Sequence, residues 1–251
     1  EMGAGLIEVG TPPDGVNSNQ GVGSTEPEAL ARAVLDEQAD MGVAFDGDGD
    51  RLLFIDGDGQ AIDGDALLYI IAMDQLRTKG HCSGVAGTLM TNLGLELALK
   101  KHNIPFARAK VGDRYVSELM QQNGWSLGGE SSGHVICSDV ASTGDGLVAA
   151  LKVFFAIIGS GQTLQALLSD LTMCPQVMIN VRCEKAVDVN QDPAIIAAVA
   201  DVEQQLGDSG RVLLRPSGTE PLIRVMVEGQ DGQLVGQLTQ QLADQVQAIV
   251  I

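Results

Sequence analysis

Residues 41–55 read MGVAFDGDGDRLLFI, and this stretch decides how the first part of the chain folds. Residues 41–45 form a continuous apolar run, and residues 51–55 form a second run that is mostly apolar, as expected for two strands. The segment between them, residues 46–50, is an acidic loop rich in glycine. The pattern therefore predicts two neighbouring strands joined by a loop that carries three carboxylates.

The three carboxylates, Asp46, Asp48 and Asp50, alternate with glycines, whose positive φ angles can turn neighbouring side chains toward one centre. Carboxylate oxygens are the ligands that Mg²⁺ and Ca²⁺ prefer, and three like charges in one turn repel each other unless a cation neutralises them. An EF-hand loop is excluded because it needs glycine at its sixth position and glutamate at its twelfth, where this chain has Arg51 and Gly57. The loop is predicted to bind a divalent cation, with a solvated acidic turn as the alternative.

A second motif, RPSGTEP at residues 215–221, lies between two predicted strands and is followed by Arg224. Its guanidinium groups, hydroxyls and glycine amides are donors of the kind that bind phosphate. The candidate phosphate-binding residues are Arg215, Ser217, Gly218, Thr219 and Arg224. A plain hairpin turn is the alternative, but the chain has only 15 basic residues, so two arginines beside one turn favour an anion site.

A third motif, GGESSGH at residues 128–134, is a polar loop framed by glycines. Carboxylate and hydroxyl side chains together suit sugar hydroxyls, which makes Glu130, Ser132 and His134 candidate substrate-binding residues. A loop without function and a purely structural histidine are the alternatives. Asp145 is predicted to cap the helix that follows it.

The charge of the chain limits the classes of partner. Acidic residues outnumber basic ones 33 to 15, for a net charge of -18, and such a surface repels nucleic acids and anionic membranes. The apolar run at 148–158 is broken by Lys152 and is shorter than the roughly 20 residues that span a membrane. The four cysteines show no CxxC pair, which predicts free thiols in a reducing, cytoplasmic compartment.

The order of predicted elements indicates an α/β fold in several domains. Strands and helices alternate after residue 59, which favours a parallel-sheet α/β domain, whereas the chain beyond residue 176 suits a smaller C-terminal α+β domain. Helices are predicted from the capping-box pattern TEPE at 25–28 to about 40, and over 65–79, 93–102, 114–122, 193–206 and 234–250. Further strands are predicted near 85 and at 106–110, 177–181, 212–214 and 222–227.

The three motifs at 46–51, 129–134 and 215–221 resemble, in the same order, three successive signatures of the α-D-phosphohexomutases. The resemblance covers essentially the whole chain. It is strongest to the amino-sugar member of that family, on the segments 87–90, 107–116 and 211–229. It implies an enzyme that moves a phosphoryl group between two positions of a phosphosugar through a phosphoserine and a 1,6-bisphosphate.

The resemblance implies a role for each motif. The acidic loop would hold Mg²⁺, its arginine would assist at the transferring phosphoryl group, and the other two signatures would bind the sugar hydroxyls and the non-reacting phosphate. The implied residues are Asp46, Asp48 and Asp50 for the metal, Arg51 for the phosphoryl group, Glu130, Ser132 and His134 for the sugar, and Arg215, Ser217, Gly218, Thr219 and Arg224 for the phosphate. Lys110 and Asp113 both stay open as the acid–base group, because they lie in a loop where the family places cleft residues.

The resemblance also implies a division of the chain. Residues 1–58 would be the later part of domain two of a four-domain enzyme, residues 59–172 domain three, and residues 173–251 domain four. The family's nucleophilic serine lies in the first domain, and no Ser-His-Asn-Pro-like loop occurs in this sequence, so the chain alone is expected to be inactive. The expected partners are a phosphosugar and the missing domain, and the sequence leaves a homodimer open.

Two other functions remain open at this point. One is a sister specificity for glucose or mannose phosphates, because the residues do not show how a 2-amino group is recognised. The other is a non-catalytic module that binds a sugar phosphate or a metal.

Overall fold

The computed structural model describes residues 3–12, 14–183, 188–217 and 220–250, and these form two compact units. Unit 1 contains the chain up to Thr91 together with Leu95–Thr172. Unit 2 contains Asn92–Gly94 and the chain from Met173 onward. Over the described ranges, no helix combines the length and the apolar character needed to cross a membrane.

Unit 1 begins with a helix and a small antiparallel sheet. The helix α1 is Pro27–Asp36, and the sheet has the order β1-β2-β3. Its strands are β1 (Met41–Phe45), β2 (Leu52–Asp56) and β3 (Ala61–Ile62). Phe45 is paired with Leu52, so the acidic loop closes the hairpin between β1 and β2 as predicted. The predicted capping box does not form, because α1 starts after Glu26 and has no side-chain cap.

The rest of unit 1 is a four-stranded sheet covered by helices. The elements in chain order are α2 (Gly64–Lys79), β4 (Val85–Thr88), α3 (Leu93–Lys101), β5 (Phe106–Ala109), α4 (Asp113–Asn123), β6 (Leu127–Gly129), β7 (Val135–Cys137), α5 (Gly146–Ser160) and α6 (Leu164–Leu167). The first two residues of α3 are counted with unit 2. Alternate residues of a strand face opposite sides, and here Val85 and Val135 pack with α2 and α5 while Ala86 and Ile136 pack with α4. The sheet is therefore buried on both faces, as in other α/β folds.

The strand order β5-β4-β6-β7 confirms an α/β fold but refines the predicted parallel sheet. The pairs of β4 with β5 and with β6 are parallel, whereas β7 runs antiparallel to β6. Only residues 130–134 connect β6 to β7, and a connection this short can join only antiparallel neighbours. The sheet is mixed for that reason.

Unit 2 is the smaller α+β unit. Its elements are β8 (Gln176–Arg182), α7 (Pro193–Leu206), a short 3₁₀ turn (Gly207–Ser209), β9 (Gly210–Pro216), β10 (Leu222–Gly229) and α8 (Gly232–Val250). The sheet has the order β8-β10-β9 with both pairs antiparallel. Val225 and Val227 of the central strand pack against Ile195 of α7 and Leu242 of α8. The helices thus cover one face of the sheet.

The Asp139 carboxylate in unit 1 forms ion pairs with Lys79 at the end of α2 and with Lys152 on α5. Its Oδ2 atom lies 2.9 Å from Nζ of Lys152 and 3.5 Å from Nζ of Lys79. Partial burial pushes the pKa of Asp139 upward, but the hydrogen bonds and charges of the two lysines outweigh burial and hold the pKa below its usual value. The folded state therefore favours the ionised carboxylate.

We expect Asp139→Asn to lower the free energy of unfolding by about 1 kcal/mol at neutral pH, the scale of partly exposed ion pairs. Because the folded-state pKa is depressed, this stability is present above the unfolded-state pKa and is lost as the pH falls through the folded value. Urea unfolding at neutral pH and below the ordinary pKa of 3.8 should show the difference shrinking with acidity. The control is Asp36→Asn on the exposed end of α1, and a difference independent of pH would contradict the prediction.

Candidate functional site

The acidic loop brings its three carboxylates to one point. One ligand oxygen each from Asp46, Asp48 and Asp50 lies within 4.8 Å of the other two. The turn is closed by a hydrogen bond from the Gly49 backbone N–H to the Asp46 carbonyl, and Gly49 has a φ of 73°, which favours glycine. Oxygen ligands at this spacing suit a hard divalent cation.

Asp46 is held in the ionised form. Its Oδ1 accepts a hydrogen bond of 3.1 Å from the Arg51 backbone N–H, and its Oδ2 lies 3.2 Å from Nε of the Arg51 side chain. Burial raises the pKa of Asp46, but the hydrogen bond from the Arg51 backbone and the charge of its guanidinium group oppose burial, and the pKa lies below its usual value. Arg51 is thus placed directly beside the carboxylate cluster.

Only one of the two Asp50 carboxylate oxygens has a hydrogen-bond partner among the described residues. Its Oδ2 lies 3.0 Å from Nδ1 of His134, while its Oδ1 is buried without a hydrogen-bond partner among the described residues and is 3.9 Å from Nε of Arg51. A buried carboxylate oxygen without a donor is costly unless something else binds it. The chemistry of this donor set therefore fits a cation.

The loop after β6 packs directly against the acidic loop. Arg51 and His134 form a β-bridge, and the Leu52 backbone N–H donates to the Gly133 carbonyl at 3.1 Å. A β-carbon on Gly133 would lie 2.0 Å from the Leu52 carbonyl oxygen, so no larger residue fits there. The GGESSGH motif therefore forms one cluster with the acidic loop.

The ring of His134 is buried and points into this cluster. Its Nε2 has no hydrogen-bond partner among the described residues, and a β-carbon on Gly144 would lie 2.1 Å from that atom. Because an ionised carboxylate only accepts hydrogen bonds, Nδ1 of His134 is the donor to Asp50. The predicted contact of His134 with substrate stays a prediction. In this structure the ring contacts the Asp50 carboxylate of the acidic loop.

Glu130 and the loop after β5 meet at one edge of the sheet. The parallel strands β4, β5 and β6 end at the same edge, where ligands commonly bind in α/β folds. One carboxylate oxygen of Glu130 accepts a hydrogen bond of 3.0 Å from the Gly112 backbone N–H. Lys110 is exposed in that loop, with its Nζ 5.9 Å from the Tyr115 ring centre, and Asp113 is exposed as the first residue of α4. Ser132 is exposed two residues after Glu130.

Unit 2 pairs the two arginines of the RPSGTEP motif. Arg215 on β9 lies directly opposite Arg224 on β10. The turn is held by a hydrogen bond of 2.8 Å from the Ser217 backbone N–H to the Leu222 carbonyl. The predicted phosphate-binding residues Gly218 and Thr219 lie outside the residues that the structure describes.

Sequence reasoning missed residues that shape the site through the backbone. Gly112 donates to Glu130, and Gly144 leaves room for the His134 ring. Loop glycines are common, so their identity alone does not predict such a role. The one feature that could have indicated these two is that each lies beside a motif residue. The Asp145 cap that follows was predicted, and its carboxylate does accept from the Val148 backbone N–H at 3.0 Å.

Comparisons with known proteins show which family the chain resembles. Residues 63–173 match the family model for phosphoglucomutase/phosphomannomutase alpha/beta/alpha domain III, and residues 178–245 match that for the C-terminal domain. The phosphoglucosamine mutases of Cellvibrio japonicus and Aeromonas hydrophila are 55% and 57% identical to this chain over 248 residues. Each alignment covers 99% of this chain and 56% of the relative, so the chain spans about half the length of the curated relatives it matches.

A solved structure shows the same fold. The crystal structure of Aspergillus fumigatus N-acetylphosphoglucosamine mutase, in complex with GlcNAc-6P and magnesium, has a TM-score of 0.71 and 20% sequence identity. The match covers 91% of this chain and 57% of that one. The two family models match more than half of the chain, which shows that the chain belongs to the phosphoglucomutase/phosphomannomutase family.

Proposed function

We propose that the protein carrying this chain is a phosphoglucosamine mutase, which interconverts glucosamine 6-phosphate and glucosamine 1-phosphate through a phosphoserine and a 1,6-bisphosphate. The observation that carries the proposal is the convergence of Asp46, Asp48 and Asp50 beside Arg51. The identity of 53–57% with phosphoglucosamine mutases supports the amino-sugar substrate over glucose or mannose phosphates.

The residues of unit 1 would serve the transferring phosphoryl group. Asp46, Asp48 and Asp50 would hold Mg²⁺, which when bound supplies positive charge that offsets the negative charge of the transfer. Arg51 is exposed beside these carboxylates and can form charge-assisted hydrogen bonds to a phosphoryl oxygen. The hydrogen bond from His134 to Asp50 fixes one ligand carboxylate in place.

The remaining candidate residues would bind the sugar and its second phosphate. Glu130 and Ser132 offer an acceptor and a hydroxyl to the sugar, while Lys110 and Asp113 are the two candidates for moving the hydroxyl proton. In unit 2, the non-reacting phosphate would be held by Arg215, Ser217, Gly218, Thr219 and Arg224. This division assigns metal and sugar recognition to one unit and phosphate recognition to the other.

The attacking serine would lie in a part of the protein that this chain does not include. No Ser-His-Asn-Pro-like loop occurs in the sequence, and Ser131, Ser132 and Ser217 lie in the sugar and phosphate motifs. We therefore expect the chain on its own to bind ligands without turnover.

The test compares the full gene product that carries this chain with the chain alone. With Mg²⁺ present, we expect kcat/KM for glucosamine 6-phosphate to exceed that for glucose and mannose phosphates, and we expect no turnover by the chain alone. Higher kcat/KM for a neutral sugar phosphate would establish the sister specificity instead. Binding without turnover by the full gene product would establish a non-catalytic module.

A further inference from the structure

The helices α7 and α8 cover one face of the unit 2 sheet, and the other face carries the two arginines of the RPSGTEP motif. Residues that alternate along a strand share a face, and residues directly opposite across two strands share it as well. The register places eleven residues on this second face, where Met226 and Glu228 are buried. The eleven are Gln176, Met178, Asn180 and Arg182 of β8, Leu222, Arg224, Met226 and Glu228 of β10, and Arg211, Leu213 and Arg215 of β9.

Three of these residues are arginines at the same end of the sheet. Arg215 lies opposite Arg224, and Arg182 lies opposite Leu222, so Arg182 is a diagonal neighbour of Arg224. In an antiparallel sheet, β-carbons of opposite residues are about 5 Å apart and those of diagonal residues about 7–8 Å, within reach of long side chains. Each strand thus contributes one guanidinium group at the end where the RPSGTEP turn connects β9 to β10.

Arg182 is also tied to the turn through the backbone. The residue after it, Cys183, donates its N–H to the Pro221 carbonyl at 2.9 Å, which fixes the end of β8 beside the end of the turn. The Arg182 carbonyl in turn accepts a hydrogen bond of 3.1 Å from the Gln247 side chain on α8. The strand end is therefore held firmly, while the Arg182 side chain is exposed.

The three guanidinium groups differ from the neighbouring Arg211 in their ion pairing. Among the described residues, Arg182, Arg215 and Arg224 form no ion pair, whereas Arg211, farther along the same face, is paired with Glu228. Like charges on adjacent strands destabilise a sheet, and this chain has acidic residues in excess with which to compensate them. A cluster of positive charge without an acidic partner in the described part of a chain of net charge -18 suits an anionic ligand.

We propose that Arg182 is a third arginine of the phosphate site, binding a phosphate dianion together with Arg215 and Arg224. The inference rests on the proposed function, since it adds a residue to the site that would hold the non-reacting phosphate. The flat guanidinium fork forms paired hydrogen bonds to phosphate oxygens, which a lysine cannot reproduce. Arg182 stands 33 residues before Arg215 in the sequence, and only the strand register brings the two onto one face.

The test measures binding of glucosamine 6-phosphate and of inorganic phosphate to this chain by calorimetry. Arg182→Gln should weaken binding of both about tenfold to a hundredfold, on the scale of one charge-assisted contact, and should lower the dependence of affinity on salt. Arg182→Lys should recover only part of the loss, because it restores the charge without the fork. Arg32→Gln on α1 is the control and should bind like the wild type.

The outcomes separate this inference from the proposed function. Thermal unfolding should first show that Arg182→Gln is folded. If Arg215→Gln then weakens binding and Arg182→Gln does not, Arg182 is not part of the phosphate site, and the assignment of that site to unit 2 is supported. If the wild type binds neither ligand, or if Arg215→Gln and Arg182→Gln both bind like the wild type, the phosphate site assigned to unit 2 is wrong as well.

Discussion

The Asp48→Asn variant is expected to lose divalent-cation binding and to be at least as stable as the wild type without metal. Asp48 is the exposed member of the three carboxylates, and it makes no hydrogen bond or ion pair among the described residues. By contrast, Asp46 binds the backbone and side chain of Arg51, and Asp50 binds His134. Only Asp48 can therefore be neutralised without removing a contact that supports the loop.

The stability gain follows from the repulsion between carboxylates. Two unit charges about 4–5 Å apart repel each other by about 1 kcal/mol in water, and removing one of three charges relieves part of this. For a chain of this size, 1 kcal/mol corresponds to a rise of about 2–4 °C in the unfolding temperature. In the full gene product, loss of the metal ligand should lower kcat by at least about a hundredfold.

The measurement is thermal unfolding of the chain with and without Mg²⁺ or Mn²⁺, together with calorimetric titration of the metal. The wild type should gain stability from the cation, and Asp48→Asn should not. Asp36→Asn, which removes the same charge from an exposed position on α1, should respond to metal like the wild type. If Asp48→Asn keeps the metal response, Asp48 is not a ligand.

The sequence predicted elements well where the local signals agreed with each other. The helix at 193–206 begins at a proline preceded by Asp192, whose side chain caps it, and its predicted bounds are those observed. The strand at 41–45 was also correct, because an acidic glycine loop ends it. The capping box at 25–28 failed, since α1 begins at Pro27 after Glu26, so that Thr25 lies too early to cap it.

Elements that depend on distant partners were harder to predict. The helix α5 was foreseen only through its cap at Asp145, because residues 148–158 are almost all apolar and show little periodicity. Phe155 and Ile158 are more than half exposed in unit 1, a feature that an apolar run does not reveal. The antiparallel edge strand β7 depends on the short loop before it and on pairing with β6. Neither feature can be recognised from amino-acid composition.

The residues of the site were foreseen as separate motifs, and their arrangement was not. Spacing alone indicated that Asp46, Asp48 and Asp50 share one centre, since they lie in one turn. Nothing local indicated that His134 contacts Asp50, a residue 84 positions earlier. The register of β8 against β10 likewise places Arg182 near Arg224, and no motif contains both residues. These contacts depend on how distant segments pair, and that pairing cannot be inferred from a single sequence.

Replacing Glu228 is expected to have the largest effect on stability. Glu228 is fully buried in unit 2, where its Oε2 accepts from Nε of Arg211 at 2.6 Å and its Oε1 accepts from the Leu93 backbone N–H at 2.8 Å. Removing one partner of a buried ion pair costs about 3–5 kcal/mol, because the other charge stays buried without compensation. For a unit of this size, such a loss lowers the unfolding temperature by about 10 °C or more.

The relative stabilities of several variants test the cause of this loss. Glu228→Ala removes the carboxylate that accepts from both Arg211 and the Leu93 N–H, whereas the single amide oxygen in Glu228→Gln can still accept from one of these two donors, so Ala should be worse than Gln. Glu220→Gln, an exposed change in the turn before β10, is the control and should shift the free energy of unfolding by less than about 0.5 kcal/mol. In the double variant Arg211→Met/Glu228→Met, packing replaces the pair, and the loss should be smaller than for Glu228→Ala alone. Equal unfolding temperatures for Glu228→Ala and the wild type would show that the buried pair does not stabilise unit 2.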